Sequence, residues 1–399
     1  MTAPQIETAA AQQALWEVAA EACAGEFGSS LQAVILTGSL ARGEGTFVED
    51  SEGCRLLSDA EFLLILRAGS RLPREQAVNR VATRIARQLL ERGVRGRVEL
   101  SPAHPSYLRK LRPHIFAYEL CACGQVVWGD PGILSLTPVF SPAAIPLEDG
   151  WRLLANRVVE QLEAARELPD RPACLTEELH YRTVKLYLDM ASSLLLFAGA
   201  YAPTYRERSR RLQELVAGRP QDGWPFPMAE FCETVTACTH FKLGATREMP
   251  GPAWRLWERG VDHARRLWHW ELARMVGLSA GISGTELWDR WVRCQPLSQR
   301  LAGWLRLMRE VGPRSAWRDS RRWVRSAWGA SPRYRVCGAA SGLFFRLPEL
   351  LRRPDIKLDW HALGDELPFR PPQKAAASWR ELASEIVWNY KAFLLRTRT

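Results

Sequence analysis

Two apolar runs of strand length frame a short stretch of small and acidic residues near the N-terminus. The first run, Leu31–Leu36, ends just before Gly38–Ser39, and the second, Phe62–Leu66, begins just after Asp59 and Glu61. A tight Gly-Ser turn after a strand lets backbone N–H groups approach a phosphate closely. Residues two apart on a strand project from the same face, so both carboxylates can face one cation. The stretch therefore predicts metal-assisted phosphoryl chemistry.

The order of these residues resembles the signature of the nucleotidyltransferase superfamily, the DNA polymerase β-like group. That signature is Gly-Ser, three further residues and a glycine, followed later by Asp-x-Asp or Asp-x-Glu. It stands here as Gly38-Ser39-Leu-Ala-Arg42-Gly43 and Ser58-Asp59-Ala60-Glu61. The resemblance covers roughly the first 150 residues. Two features differ from the family pattern: the interval between the two motifs is longer, and the second carboxylate is Glu where Asp is commoner.

The resemblance implies roles for individual residues. Gly38 and Ser39 would hold the phosphates of a nucleoside triphosphate, and Arg42 would lie near them, unless it is an ordinary solvated surface arginine. Asp59 and Glu61 would bridge two Mg²⁺ ions. Glu99, on the next predicted strand, would complete the metal site or act as general base; the alternative is a strand-edge glutamate paired to Arg97 or Arg95.

A helix predicted over Thr176–Gly199, with the segment that follows it, resembles the helical domain of aminoglycoside-type nucleotidyltransferases. In that family the domain closes the cleft over nucleotide and acceptor. The resemblance suggests Lys185 as a phosphate ligand and Asp189 as an acceptor ligand, whereas their spacing of four residues also fits an ion pair on a solvated helix face. Tyr205 and Arg208, just past the helix, are further candidates for acceptor binding.

Proline spacing and helical periodicity divide the chain into three predicted regions. Pro138, Pro142 and Pro146 mark a linker, and every segment beyond it has helical rather than strand patterning. We expect an α+β protein, in which a catalytic domain with a mixed sheet and flanking helices (1–137) precedes an all-α part. The all-α part comprises a closing domain (138–250) and a further helical region of unknown role (251–399).

Several observations favour a cytoplasmic protein without a membrane partner. The N-terminal residues lack the basic and apolar segments of a secretory signal, and the most apolar run, Met190–Ala202, is too short to span a bilayer. Nine scattered cysteines suit reduced thiols better than a disulfide framework. Cys121 and Cys123 lie on a predicted strand, where core packing is favoured over metal binding.

The excess of basic over acidic side chains lies entirely after residue 150. Residues 1–150 carry 14 basic and 17 acidic side chains, although the whole chain has a formal charge of +10. The segment Arg314–Arg335 interleaves arginines with Trp317, Trp323 and Trp328. Arginines with aromatic rings can bind nucleic acid, but a solvated basic helix with buried tryptophans explains the same pattern.

These observations predict a Mg²⁺-dependent enzyme that moves a nucleoside monophosphate, with AMP favoured, from a nucleoside triphosphate to a hydroxyl of a small-molecule acceptor. A protein or RNA partner is less favoured. One alternative is a protein-adenylylating enzyme of toxin–antitoxin type. Another is an inactive nucleotide- or RNA-binding module, motivated by Glu61, the long interval between the motifs and the basic C-terminal half.

Overall fold

The computed structural model describes residues 8–51, 53–169, 174–218, 223–244, 246, 248, 250–278, 283–311, 323–324, 326–353, 364, 367–369 and 378–397. The chain forms two compact units. The first comprises Met1–Pro146, Ala198–Leu212 and Thr239–Glu248, and the second comprises Leu147–Phe197, Gln213–Cys238 and Met249–Thr399. The first boundary falls at the end of the predicted proline linker. Two later segments belong to the first unit, which the division into three consecutive regions did not anticipate.

The first unit contains a four-stranded mixed sheet in the order β6-β4-β1-β7 and a smaller sheet in the order β2-β3-β5. Strand β1 is antiparallel to β4 and β7, whereas β4 and β6 are parallel. The elements are α1 (Thr8–Phe27), β1 (Leu31–Leu36), α2 (Gly38–Ala41), β2 (Phe47–Asp50), β3 (Gly53–Leu56), β4 (Ala60–Leu66), α3 (Glu75–Glu91), β5 (Val94–Arg95), β6 (Val98–Ala103), α4 (Pro105–Arg109), α5 (Ile115–Cys123) and β7 (Gln125–Gly129).

Both faces of the larger sheet are packed, because alternate residues of its central strands point to opposite sides. Val34 and Leu36 belong to a core cluster that also includes side chains of α1 and α3. Ala33 and Ile35 belong to a second cluster with residues of α4 and α5. Burial on both faces explains why β1 is apolar at every position except Gln32.

The long interval between the two motifs forms a β-hairpin. Strands β2 and β3 pair antiparallel, with Phe47 opposite Leu56 and Asp50 opposite Gly53, and β3 pairs in parallel with β5. The glycine-containing sequence of this interval suits either a loop or a short hairpin, and the structure has the hairpin. Glu49 is exposed on it.

The strand predicted around Cys121 and Cys123 is wrong, because this segment is helix α5. The Nδ1 atom of His114 accepts a hydrogen bond from the Ala117 N–H at 3.0 Å and caps the helix. Apart from Glu119 the run consists of apolar, aromatic and cysteine residues, so period-2 alternation did not distinguish strand from helix. Cys121 is exposed, so core packing is also wrong for this residue.

The described part of the second unit consists of helices and the loops that connect them, without strands. A cluster of aromatic rings surrounds the fully buried Trp151, whose ring centroid lies 4.7 Å from that of Trp268 and 5.5 Å from that of Tyr334. The helices of the second unit, together with α8 and α9, which each have residues in both units, are α6 (Leu147–Ala165), α7 (Glu177–Phe197), α8 (Tyr205–Gly218), α9 (Met228–Lys242), α10 (Ala253–Val276), α11 (Gly284–Cys294), α12 (Leu297–Val311), α13 (Pro332–Phe344), α14 (Leu347–Arg352) and α15 (Trp379–Thr397).

The predicted α+β class is confirmed: a mixed sheet with flanking helices precedes a helical region, and in the described chain no strand follows Gly129. Within the described ranges no helix is both long and apolar enough to cross a membrane. Much of the basic segment Arg314–Arg335, including Trp317, lies outside the described residues. Trp323 is buried and Trp328 is 67% exposed.

Candidate active site

The Gly-Ser turn at the end of β1 lies against the beginning of β4. The Thr37 N–H donates to the Glu61 carbonyl oxygen at 2.9 Å, which continues the strand pairing by one residue. Gly38 has a φ of +67°, and a Cβ atom at this position would lie 2.7 Å from Oε2 of Glu61. The backbone conformation therefore favours glycine, and a larger residue would also displace the Glu61 carboxylate. The structure brings these two predicted site residues into direct contact.

Asp59 is half-buried immediately before β4, and hydrogen bonds of its two neighbours fix its backbone. The Ser58 hydroxyl accepts hydrogen bonds from the Thr46 N–H at 3.1 Å and from Nζ of Lys242 at 2.7 Å. The Ala60 N–H donates to the Arg97 carbonyl oxygen at 2.9 Å. Asp59 is thereby held at the edge of the sheet, next to the Gly-Ser turn.

Lys242 is a residue of this site that the sequence analysis missed. It is only 2% exposed and comes from the end of α9, in a segment assigned to the first unit. Its ammonium group donates to the hydroxyls of Thr46 and Ser58, at 2.9 and 2.7 Å. Lys242 ends a helix that is 184 residues from Ser58 in the sequence, and nothing in the local pattern indicated that the two side chains are in contact.

Glu99 lies on β6 directly beside Glu61 of β4, but its carboxylate is paired to an arginine. In the parallel pairing of β4 and β6, Glu61 and Glu99 are direct partners, so their side chains leave the same face of the sheet. A carboxylate oxygen of Glu99 lies 2.7 Å from Nη2 of Arg97, and both side chains are well exposed. This is the ion pair that the sequence left open as the alternative for Glu99.

The three predicted metal ligands do not assemble into one metal-binding group. Carboxylate oxygens are the donors that Mg²⁺ prefers, so the residue types are suitable. In the part of the chain that the structure describes, however, no three His, Cys, Asp or Glu side chains are grouped to hold a metal ion. Glu99 pairs with Arg97, and the Glu61 carboxylate lies beside Gly38. Roles of Asp59, Glu61 and Glu99 as metal ligands stay predictions.

Arg42 is buried in ion pairs, so the solvated surface arginine that the sequence left open is wrong. Its side chain is 7% exposed, with Nε 3.1 Å from Glu44 and Nη1 2.5 Å from Glu119. Burial opposes its charge, but Glu119, Tyr205 and Glu44 together outweigh burial and raise the pKa of Arg42 above its ordinary value. Arg42 directly follows α2, so these pairs fix the C-terminal end of the Gly-Ser turn. A contact with nucleotide stays a prediction.

Glu119 connects Arg42 to the predicted acceptor-binding residues Tyr205 and Arg208. Arg208 is 3% exposed; its guanidinium pairs with Glu119, and its Nε donates to the Ala202 carbonyl oxygen at 2.7 Å. The Tyr205 ring centroid lies 5.2 Å from Cζ of Arg42 and 5.1 Å from Cζ of Arg208. The structure thus brings three predicted site residues together. It does so through a glutamate that the sequence analysis did not single out.

Lys185 and Asp189 lie in the second unit, on α7. Asp189 is 2% exposed and accepts a hydrogen bond from Nε of Arg157 at 2.7 Å, so an ion pair with Lys185 on a solvated face is wrong. Lys185 is half-buried near Glu160. Burial opposes ionisation of Glu160, but the charges of Arg157 and Lys185 hold its pKa below the ordinary value. Ligand roles for Lys185 and Asp189 stay predictions.

Comparisons with known proteins add little to this geometry. No family model matches the sequence, and no curated protein matches it either. Among solved structures, the chain is similar to spectinomycin adenyltransferase AAD(9) from Enterococcus faecalis, crystallised with ATP and spectinomycin. The alignment covers 63% of this chain and 98% of that chain, with 12% sequence identity and a TM-score of 0.38. At this level of similarity the neighbour assigns no family to the chain.

Proposed function

We propose that the protein is a Mg²⁺-dependent nucleotidyltransferase that moves a nucleoside monophosphate, with AMP favoured, from a nucleoside triphosphate to a hydroxyl of a small-molecule acceptor. The observation that carries the proposal is the contact between Gly38 and Glu61. The Gly-Ser turn at the end of β1 and the two acidic side chains at the start of β4 lie at the same end of the sheet. Phosphoryl transfer needs both a phosphate cradle and carboxylates at one place.

Each residue of this edge has a distinct role in the proposal. The backbone N–H groups and the Ser39 hydroxyl bind phosphate oxygens of the nucleotide. Asp59 and Glu61 are the side chains that would hold Mg²⁺, which supplies charge neutralisation and polarises phosphoryl oxygens when bound. Arg42 acts through its ion pairs, which hold the turn in place.

Glu99 is the proposed proton acceptor for the acceptor hydroxyl. Its alignment with Glu61 supports this role, because it puts the two side chains on one face of the sheet. Its side chain is well exposed, so an acceptor hydroxyl can reach the carboxylate. A general base of this kind contributes on the order of 10²–10⁴-fold to the rate.

Pyrophosphate release by the purified chain tests the proposal. ATP, CTP, GTP and UTP are each supplied with Mg²⁺ and a panel of aminoglycosides and other polyhydroxylated acceptors, and mass spectrometry detects the modified acceptor. We expect turnover with at least one pair of substrates. Asp59→Asn and Glu61→Gln should lower it by about 10³-fold or more, since phosphoryl transfer rests on charge stabilisation. The matched control, Glu91→Gln, changes an exposed glutamate at the end of α3. Full turnover by purified Asp59→Asn protein would contradict the mechanism.

The same assay separates the alternatives. A protein-adenylylating enzyme would label a polypeptide in a host extract and leave the small-molecule panel unmodified. A binding module would release no pyrophosphate from any nucleotide and would instead bind RNA with an affinity that falls steeply with salt. The first result would replace the small-molecule acceptor by a protein, and the second would overturn the proposed nucleotidyl transfer.

A further inference from the structure

The second unit contains a cavity of about 850 Å³. The cavity is open to solvent, so a ligand can enter it. It falls within the range of about 300–1,000 Å³ that is typical of ligand-binding pockets. Side chains of α10, α11 and α13 line it, together with residues just before and just after α13.

Aromatic rings form one part of the cavity wall. Trp268 and Trp288 are stacked, with centroids 6.1 Å apart and ring planes 25° apart. Phe345 meets Trp268 edge-on at 5.8 Å. Trp328 also lines the cavity, although 67% of the residue is exposed, so its ring is accessible from solvent. Trp268 is only 2% exposed, so Trp288 and Trp328 are the rings that can stack against a planar ligand.

Two glycines allow lining side chains to lie close against the neighbouring backbone. A Cβ atom at Gly338, on α13, would lie 2.9 Å from the Trp288 ring, and one at Gly284 would lie 2.3 Å from Nε2 of His269. Larger residues at these positions would push both rings out of place. Glycine at both positions therefore preserves the shape of the cavity.

The charged groups of the wall are predominantly positive. Burial and the neighbouring Arg265 lower the pKa of His269, so the imidazole is neutral at pH 7. Burial also lowers the pKa of Arg335, and a bound anion would oppose that effect. Four arginines and two carboxylates line the cavity: Arg265, Arg293, Arg335, Arg346, Asp289 and Glu349.

We propose that this cavity is a ligand site for a planar aromatic anion of mononucleotide size. The ring of the ligand lies against the tryptophans, and its anionic group is bound by the arginines. All the lining residues belong to the second unit, so the site is distinct from the Gly38–Asp59 edge of the first unit.

Calorimetric titration of the full chain tests the proposal, with AMP and 1-naphthyl phosphate as probes that combine a flat ring with an anion. Adenosine supplies the ring without the charge, and inorganic phosphate supplies the charge without the ring. Trp328→Ala and Arg346→Gln alter exposed residues of the wall. The matched controls, Trp388→Ala and Arg255→Gln, alter exposed residues of the same types that do not line the cavity.

We expect at least one of the two anionic probes to bind. Each wall substitution should weaken that binding by about tenfold, the size of one stacking or charge-assisted contact, while the controls leave it unchanged. Adenosine and inorganic phosphate should each bind at least about tenfold more weakly. Circular dichroism verifies folding, and Arg293→Glu, on a different helix, gives an independent test. The proposal is overturned if neither probe binds, if both wall substitutions leave binding intact, or if phosphate or adenosine alone binds as tightly.

Discussion

Glu271 makes the stability of the second unit depend on pH in a direction opposite to that expected for a salt-bridged carboxylate. The residue is fully buried on α10, and one of its oxygens accepts a hydrogen bond from the Ser193 hydroxyl at 2.5 Å. Its other oxygen has no hydrogen-bond partner. Burial raises the pKa of Glu271 from 4.5 to about 8, against the opposing effect of Ser193. The folded protein therefore keeps a proton that the unfolded chain releases above its ordinary pKa.

The magnitude follows from proton linkage. Between the two pKa values the folded state binds more protons than the unfolded state, so the free energy of unfolding falls as pH rises. At ~1.4 kcal/mol for each pKa unit, the cost reaches about 3 kcal/mol at pH 7 and about 5 kcal/mol above pH 9. Below about pH 4.5 the cost is absent, because the carboxyl is neutral in both states.

Replacement by glutamine, Glu271→Gln, removes the ionisable proton and keeps the shape of the side chain. We expect its unfolding free energy, relative to wild type, to rise by about 4 kcal/mol between pH 5 and pH 9. Urea unfolding followed by tryptophan fluorescence measures this difference, since 15 of the 17 tryptophans lie after residue 150. Glu233→Gln, at an exposed position of α9, is the matched control and should give a flat difference.

A related substitution, Ser193→Ala, tests the cause. It removes the hydrogen bond that favours the charged carboxylate, so the pKa of Glu271 should rise further and the loss of stability in alkaline buffer should grow. If the difference between Glu271→Gln and wild type stays constant within about 1 kcal/mol across this pH range, the assignment of a buried neutral carboxyl is wrong.

Two further predictions concern the first unit. Glu119→Gln leaves the charges of Arg42 and Arg208 poorly compensated, so we expect a loss of about 3 kcal/mol in unfolding free energy by circular dichroism; a change below 1 kcal/mol would show that the network is dispensable. Gly38→Ala forces a Cβ into a left-handed conformation and against the Glu61 carboxylate, which should cost about 1–2 kcal/mol of stability and abolish pyrophosphate release; retained release would separate that contact from catalysis.

Local patterns were sufficient for the elements that carry the candidate site. The run Leu31–Leu36 was predicted as a strand with the bounds that the structure gives, and the next one was predicted from Phe62–Leu66. Both are buried on two faces, and turn-forming or acidic residues bound them sharply. The spacing of Arg97 and Glu99 was also informative, because residues two apart on a strand share a face and can pair.

Contacts between distant parts of the chain were not predictable in the same way. Arg42 and Glu119 are 77 residues apart, and Glu119 and Arg208 are 89 residues apart. Nothing in the local pattern of any of these segments specifies its partner. The helix that carries Glu119 was itself predicted as a strand, because a short apolar run has no period that separates the two structures.

Two segments that are synthesised late, Ala198–Leu212 and Thr239–Glu248, belong to the first unit, so the order of synthesis affects when this unit can be completed. A ribosome completes residues 1–146 long before it delivers Arg208 and Lys242, and between them it makes part of the second unit. Until then, Glu119 lacks one of its two guanidinium partners and Ser58 lacks its ammonium donor. An expression fragment that ends at residue 137 or 146 would remain in that incomplete state permanently. Isolating the first unit therefore requires a chain that reaches at least residue 248.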